Sequence, residues 1–79
     1  MRHLEVIWTD GNLEHLAEHG ITPEEAEQVL RDPAREEVSR SSGRPIAMGY
    51  TSDGRWIMVV YERVDAIAVY PITAYEVSQ

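Results

Sequence analysis

The 79-residue chain contains no cysteine and no lysine. Without cysteine it has neither a disulfide nor a thiolate metal site, which suits a reducing cytosol. Without lysine, all 7 basic residues are arginines, set against 14 acidic residues for a formal net charge of −7. A domain with that balance does not hold a polyphosphate by bulk electrostatics. It favours a basic partner or simply stays dissolved, so any contact with nucleic acid must rest on where individual arginines sit. Long apolar runs are missing too. No stretch approaches the roughly 20 residues of a membrane span, and the start of the chain lacks the apolar segment of a signal peptide. The expectation is a cytoplasmic protein with no membrane contact. There is also no glycine-rich phosphate loop, nucleophile elbow or paired-carboxylate signature. The length leaves room for one core, hence one domain over residues 1–79. A chain of this size buries only about 60% of its unfolded surface, so its stability is marginal.

Local signals give an α+β order. Leu4 to Trp8 is rich in β-branched and aromatic types and predicts a short strand. Thr9 and Asp10 cap a helix whose narrow apolar face is Leu13, Leu16 and Ala17, and Gly20 suits a left-handed C-terminal cap. Thr22-Pro23-Glu24-Glu25 starts a second helix with a capping residue, Pro at the first helical position and Glu three residues after the cap. Its apolar face is Ala26, Val29 and Leu30, and Asp32-Pro33 ends it. Strands follow: a polar edge at Glu36 to Arg40, then Pro45 to Thr51, Trp56 to Arg63 and Ala66 to Ile72. Residues from Thr73 on are too few to assign. The expected fold is therefore a short N-terminal strand, two helices, and a three- to four-stranded antiparallel sheet with the helices on one face.

Asp53-Gly54 is a strong two-residue hairpin signal. Such a loop sets Tyr50 opposite Ile57 and Met48 opposite Val59. By alternation, one face then carries Ala47, Gly49, Trp56, Met58 and Val60, with Glu62 toward the same side, and small Ala47 and Gly49 suit close helix packing. The other carries Arg44, Ile46, Met48, Tyr50, Ile57, Val59, Tyr61 and Arg63. A second two-residue link at Val64-Asp65 adds Tyr70 to this set, and Ile67 and Val69 to the helix side. A contiguous apolar face rarely stays open on a soluble monomer, so a partner or a second copy is expected to cover it. Tyr and Arg are favoured anchors there.

Several residues invite chemistry. His15 and His19 stand four apart on the first helix, a spacing that can aim two imidazoles at a metal. Leu16 occupies the position where a zinc protease needs Glu, so no metal site is assigned. Tyr50, Tyr61 and Tyr70 beside Arg44 and Arg63 can form a base-stacking platform, where each stacked base contributes about 1–3 kcal/mol. Ordinary cross-strand or interface packing accounts for the same tyrosines without a basic surround. Glu62 suits a salt bridge better than general-base work. Trp8 and Trp56 suit the core or its rim.

In order along the chain, the segments Ile7-Trp8, Glu18-His19-Gly20-Ile21, Pro23 to Pro33, Arg44 to Gly49, Gly54 to Tyr61 and Ile72-Thr73-Ala74 resemble the BrnT toxin family. That resemblance implies a RelE-like ribonuclease toxin fold, a cognate antitoxin that neutralises it, and metal- and cofactor-free RNA cleavage that slows translation. It implies Arg55 as a retained phosphate contact, which Arg63 joins by its placement near the end of the matched strand, with Tyr61 or Tyr70 in stacking or proton transfer. Arg44, Met48, Tyr50 and Val59 would bind beside them. The chain also departs from the family. Tyr50, Tyr70 and Tyr75 stand where the family tends to carry arginine, and Glu76-Val77-Ser78-Gln79 replaces a basic C-terminal helix. Two functions follow as expectations: a toxin domain acting on RNA, or a non-catalytic module of the same fold that binds a protein or a second copy through its tyrosine face.

Overall fold

In the computed structural model, which describes residues 4–77, the fold is α+β. The elements are β1 (Glu5–Val6), α1 (Asp10–Glu18), α2 (Pro23–Arg31), β2 (Arg35–Val38), β3 (Pro45–Tyr50), β4 (Trp56–Arg63) and β5 (Ala68–Glu76). The strands form one five-stranded sheet in the order β1-β5-β4-β3-β2. It is mixed rather than purely antiparallel, because β1 runs parallel to its only neighbour, β5. The segment after Thr73, unassigned from sequence, continues β5 as far as Glu76.

Both helices begin as their sequences dictate. Thr9 and Thr22 are N-caps with reciprocal capping boxes. The Thr22 hydroxyl accepts from the Glu25 amide, and the Glu25 carboxylate accepts from the Thr22 amide, satisfying donors that a helix start otherwise leaves open. Gly20, at φ 73°, turns the chain between the helices.

The helices cover one sheet face. Leu16, Ile21, Ala26, Val29 and Leu30 pack on Ala47, Ile57, Val59, Tyr61, Val69 and Ala74. Each large aliphatic side chain fully buried there contributes about 1.5–3 kcal/mol. The exit of α2 packs over Gly49, where a Cβ would lie 3.5 Å from the Ala34 nitrogen and 3.7 Å from Val29, ordinary van der Waals contact.

The β3–β4 turn overturns the expected faces. Its loop has three residues, Ser52, Asp53 and Gly54. The Thr51 amide donates to the Arg55 carbonyl at 2.9 Å, and Gly54 sits at φ 84°. This is a turn closed by a left-handed glycine, not a two-residue primed turn. The register therefore pairs Tyr50 with Trp56, Met48 with Met58 and Ala47 with Val59, and one residue of slip moves every β4 side chain to the opposite face. Ile57, Val59 and Tyr61 belong to the helix-side core, while Trp56, Met58, Val60 and Glu62 face away. The next link is also longer than expected. The Val64 amide bonds the Ala68 carbonyl, and the Asp65 carboxylate accepts from the Ile67 and Ala68 amides. That second slip reverses the first, so Val69 is in the core and Tyr70 pairs with Glu62, as alternation placed them relative to the helices.

Candidate functional site

Among the described residues, no helix packs on the second face of the sheet. Ile46, Met48 and Tyr50 reach it from β3, and Trp56, Met58 and Val60 from β4. Tyr75 pairs with Met58 and Thr73 with Val60, which continues the face onto β5. Tyr50 is 55% exposed and Tyr75 37%, whereas Met48 and Ile46, on the same strand as Tyr50, are buried, at 5% and 9%. The Tyr50 and Trp56 rings meet edge to face with centroids 4.7 Å apart. Its borders are charged but self-neutralised: Arg35 bridges Glu37 at 3.6 Å, and Arg44 bridges Glu62 at 3.5 Å.

Of the residues expected to bind there, Arg44, Met48 and Tyr50 lie on this face. Val59 does not. It is fully buried against the helices, as is Tyr61 at 6% exposure, because the three-residue loop inverted β4. The tyrosine platform is therefore broken up. Tyr61 is beneath α2, and the Tyr70 hydroxyl shares a 3.0 Å hydrogen bond with Thr9 beside α1. Glu62, expected toward the helices, is on the open side with Arg44. Trp56 is half-buried on the open face, whereas Trp8 packs on the core and donates to Glu27 at 2.7 Å.

The four residues expected to carry catalysis do not form one site: Arg63 lines a cleft with Tyr61 and a second, open depression with Tyr70, while Arg55 lies apart from all three. Arg55 lies at one end of β4 and Arg63 at the other, about 26 Å away at strand rise. A residue directly after the Asp53-Gly54 turn is expected to be exposed, but Arg55 is drawn in on the helix side. It donates to Glu25 at 2.7 Å, to Glu76 at 3.3 Å and to the Gly20 carbonyl at 3.4 Å. Partial burial works against its charge, but Glu25 and Glu76 outweigh that and hold its proton more tightly than usual. A guanidinium saturated by two carboxylates staples α2 to the end of the sheet and has little left for a phosphate. Arg63 sits differently, with a single 3.5 Å contact to the Ala66 carbonyl. Together with Tyr61, Arg31 and Glu36 it lines a narrow cleft beneath Leu4 and Leu30. The Tyr61 hydroxyl has no hydrogen bond among the described residues. No buried polar side-chain atom there lacks a partner, so this oxygen must meet solvent in the cleft.

His15 is exposed on α1, and the His19 ring lies 5.8 Å from that of Tyr75. No three histidines or carboxylates come together among the described residues.

One important residue carried no sequence signal beyond its type. Asn12 is 2% exposed and makes four hydrogen bonds. Its amide nitrogen donates to the Ile7 and Pro71 carbonyls at 3.0 Å each, and its oxygen accepts from the Thr9 amide and hydroxyl. Pro71 faces Tyr61 at an irregularity in the β4–β5 ladder, a place where a residue without an amide proton is tolerated.

Comparison with protein-family models, with curated proteins and with solved structures finds no match to this chain. The class defined here is an α+β domain with one covered and one open sheet face.

Proposed function

We propose that the chain is a BrnT-like domain that works by docking a protein rather than by cleaving RNA. One observation carries this reading: the open face is apolar and aromatic, and each of its arginines already has a glutamate. Tyr, Trp and Met are the side chains enriched at protein interfaces, and an apolar face of this kind is uncommon on a monomer. Catalysis by phosphate clamping needs positive charge aimed at one place. Here Arg55 and Arg63 sit at opposite ends of β4 in a chain of net charge −7. The family assignment rests on the ordered segments from Ile7 to Ala74, and two helices on one face of a sheet agree with it at the level of fold class.

Co-expression tests the docking role. A protein docked on this face, whether a second copy of the chain or the product of a neighbouring reading frame, is expected to co-purify with the tagged wild-type chain and to be lost with Met58→Glu. Induced expression of the chain alone is expected to leave growth and RNA intact. A second reading, RNA cleavage, draws on the cleft that brings Tyr61 and Arg63 beside Arg31. Growth arrest with fragmented RNA, relieved by Arg63→Ala, would establish that reading in place of the first.

A further inference from the structure

Taking the open face as a docking surface, we infer that its occupant is a second copy of this chain, placed face to face about a two-fold axis.

The distribution of charge carries this step. Two bodies of charge −7 repel, so copies can meet only where the surface is not negative. The helices carry six carboxylates, Asp10, Glu14, Glu18, Glu24, Glu25 and Glu27, with Arg31 as their only arginine. Across β2 to β4 the open face carries two arginines and two glutamates, already paired as Arg35–Glu37 and Arg44–Glu62, and so no net charge, while Glu5 at the β1 edge adds one negative charge. A basic partner would be drawn to the acidic helices and would gain little from a nearly neutral apolar surface. A second copy is driven the opposite way, off the helices and onto that surface. An isologous contact also brings each patch onto itself and closes after two copies. The geometry is ordinary for protein interiors, since sheets stack face to face about 10 Å apart with their side chains interleaved. Met58, Val60 and Trp56 of each copy would then fill space that no helix or strand among the described residues fills. Burial of this second face would also add to a core that is small for an independent domain.

Sedimentation of the full chain across micromolar to submillimolar concentration tests the inference. The expected result is a species of twice the 9.0 kDa chain mass, held or tightened as sodium chloride is raised, because salt screens the repulsion between copies. Met58→Glu is expected to yield a monomer with an unchanged circular dichroism spectrum. A Trp8→Phe background leaves Trp56 as the only indole, and its emission is expected to shift to the red on dilution into monomer. Should Met58→Glu unfold the chain, Trp56 emission in the dimer still reports whether this face is covered. A wild-type chain that stays monomeric throughout overturns the inference. So does a dimer whose Trp56 emission ignores dilution, or one that salt dissociates. A monomer that still captures the neighbouring gene product through Met58 overturns only the second-copy step and leaves the docking role standing.

Discussion

Asn12 shows how much one side chain can hold in a small core. It uses both amide protons on carbonyls from two different segments and both acceptor sites on Thr9, so removing it strands the buried Pro71 carbonyl and three part-buried groups at once. Asn12→Ala is expected to cost about 2–3 kcal/mol, the scale for leaving buried hydrogen-bonding groups unpaired, and denaturant unfolding would measure it. A loss below the error of that measurement would mean water replaces the amide. Glu27 supports a pH prediction. Partial burial raises its pKa, but hydrogen bonds from Trp8 and Arg31 and the charge of Arg31 outweigh that and leave it below the ordinary carboxyl value of 4.5. A depressed carboxyl pKa contributes stability that is complete above the unfolded value and fades as pH falls through the folded one. Trp8→Phe removes one of the lowering contacts. The gap in melting temperature between wild type and this variant should therefore be widest near neutrality and shrink below pH 4. A gap that ignores pH would mean that the indole acts through packing alone.

The helices, at the scale of elements, were legible because their signals are local. Thr22-Pro23-Glu24-Glu25 states its own cap, and Asp32-Pro33 its own end. The strands were legible as strands, yet β4 was placed on the wrong side. The reason is physical: both of its alternating sets, Ile57-Val59-Tyr61 and Trp56-Met58-Val60, are apolar, so no polar side marked the outside. Register then depended on a loop length that Asp53-Gly54 leaves open, since the pair serves two- and three-residue turns alike. Arg55 was misplaced for a related reason, because its partners Glu25 and Glu76 are 30 and 21 positions away. The turn itself can be tested. Gly54→Ala forces a side chain into a left-handed backbone at φ 84° and should cost about 1–2 kcal/mol. Deleting Ser52 should cost far more, because a two-residue loop would drive Trp56 and Met58 under the helices and expose Ile57 and Val59. A Ser52 deletion that melts with wild-type cooperativity would contradict the register.

The molecule as a whole is governed by its charge. With −7 spread mainly over the helices, folding gathers like charges, and added salt should relieve that strain. Raising sodium chloride from low to physiological strength is expected to raise the melting temperature modestly at pH 7, by a few degrees at the stability scale of small domains. A fall would mean that pairs such as Arg55–Glu25 outweigh the general repulsion. The sheet order has one more consequence. β5 is the last of the described strands but lies inside the sheet, between β4 and β1, and among the described residues β1 pairs with no other strand. As the protein leaves the ribosome, β1 and α1 emerge early and have no seat until residues near Glu76 follow. β1 can therefore join the sheet only after β5 has been made, and until then Leu16 and Trp8 wait without the strand that covers them.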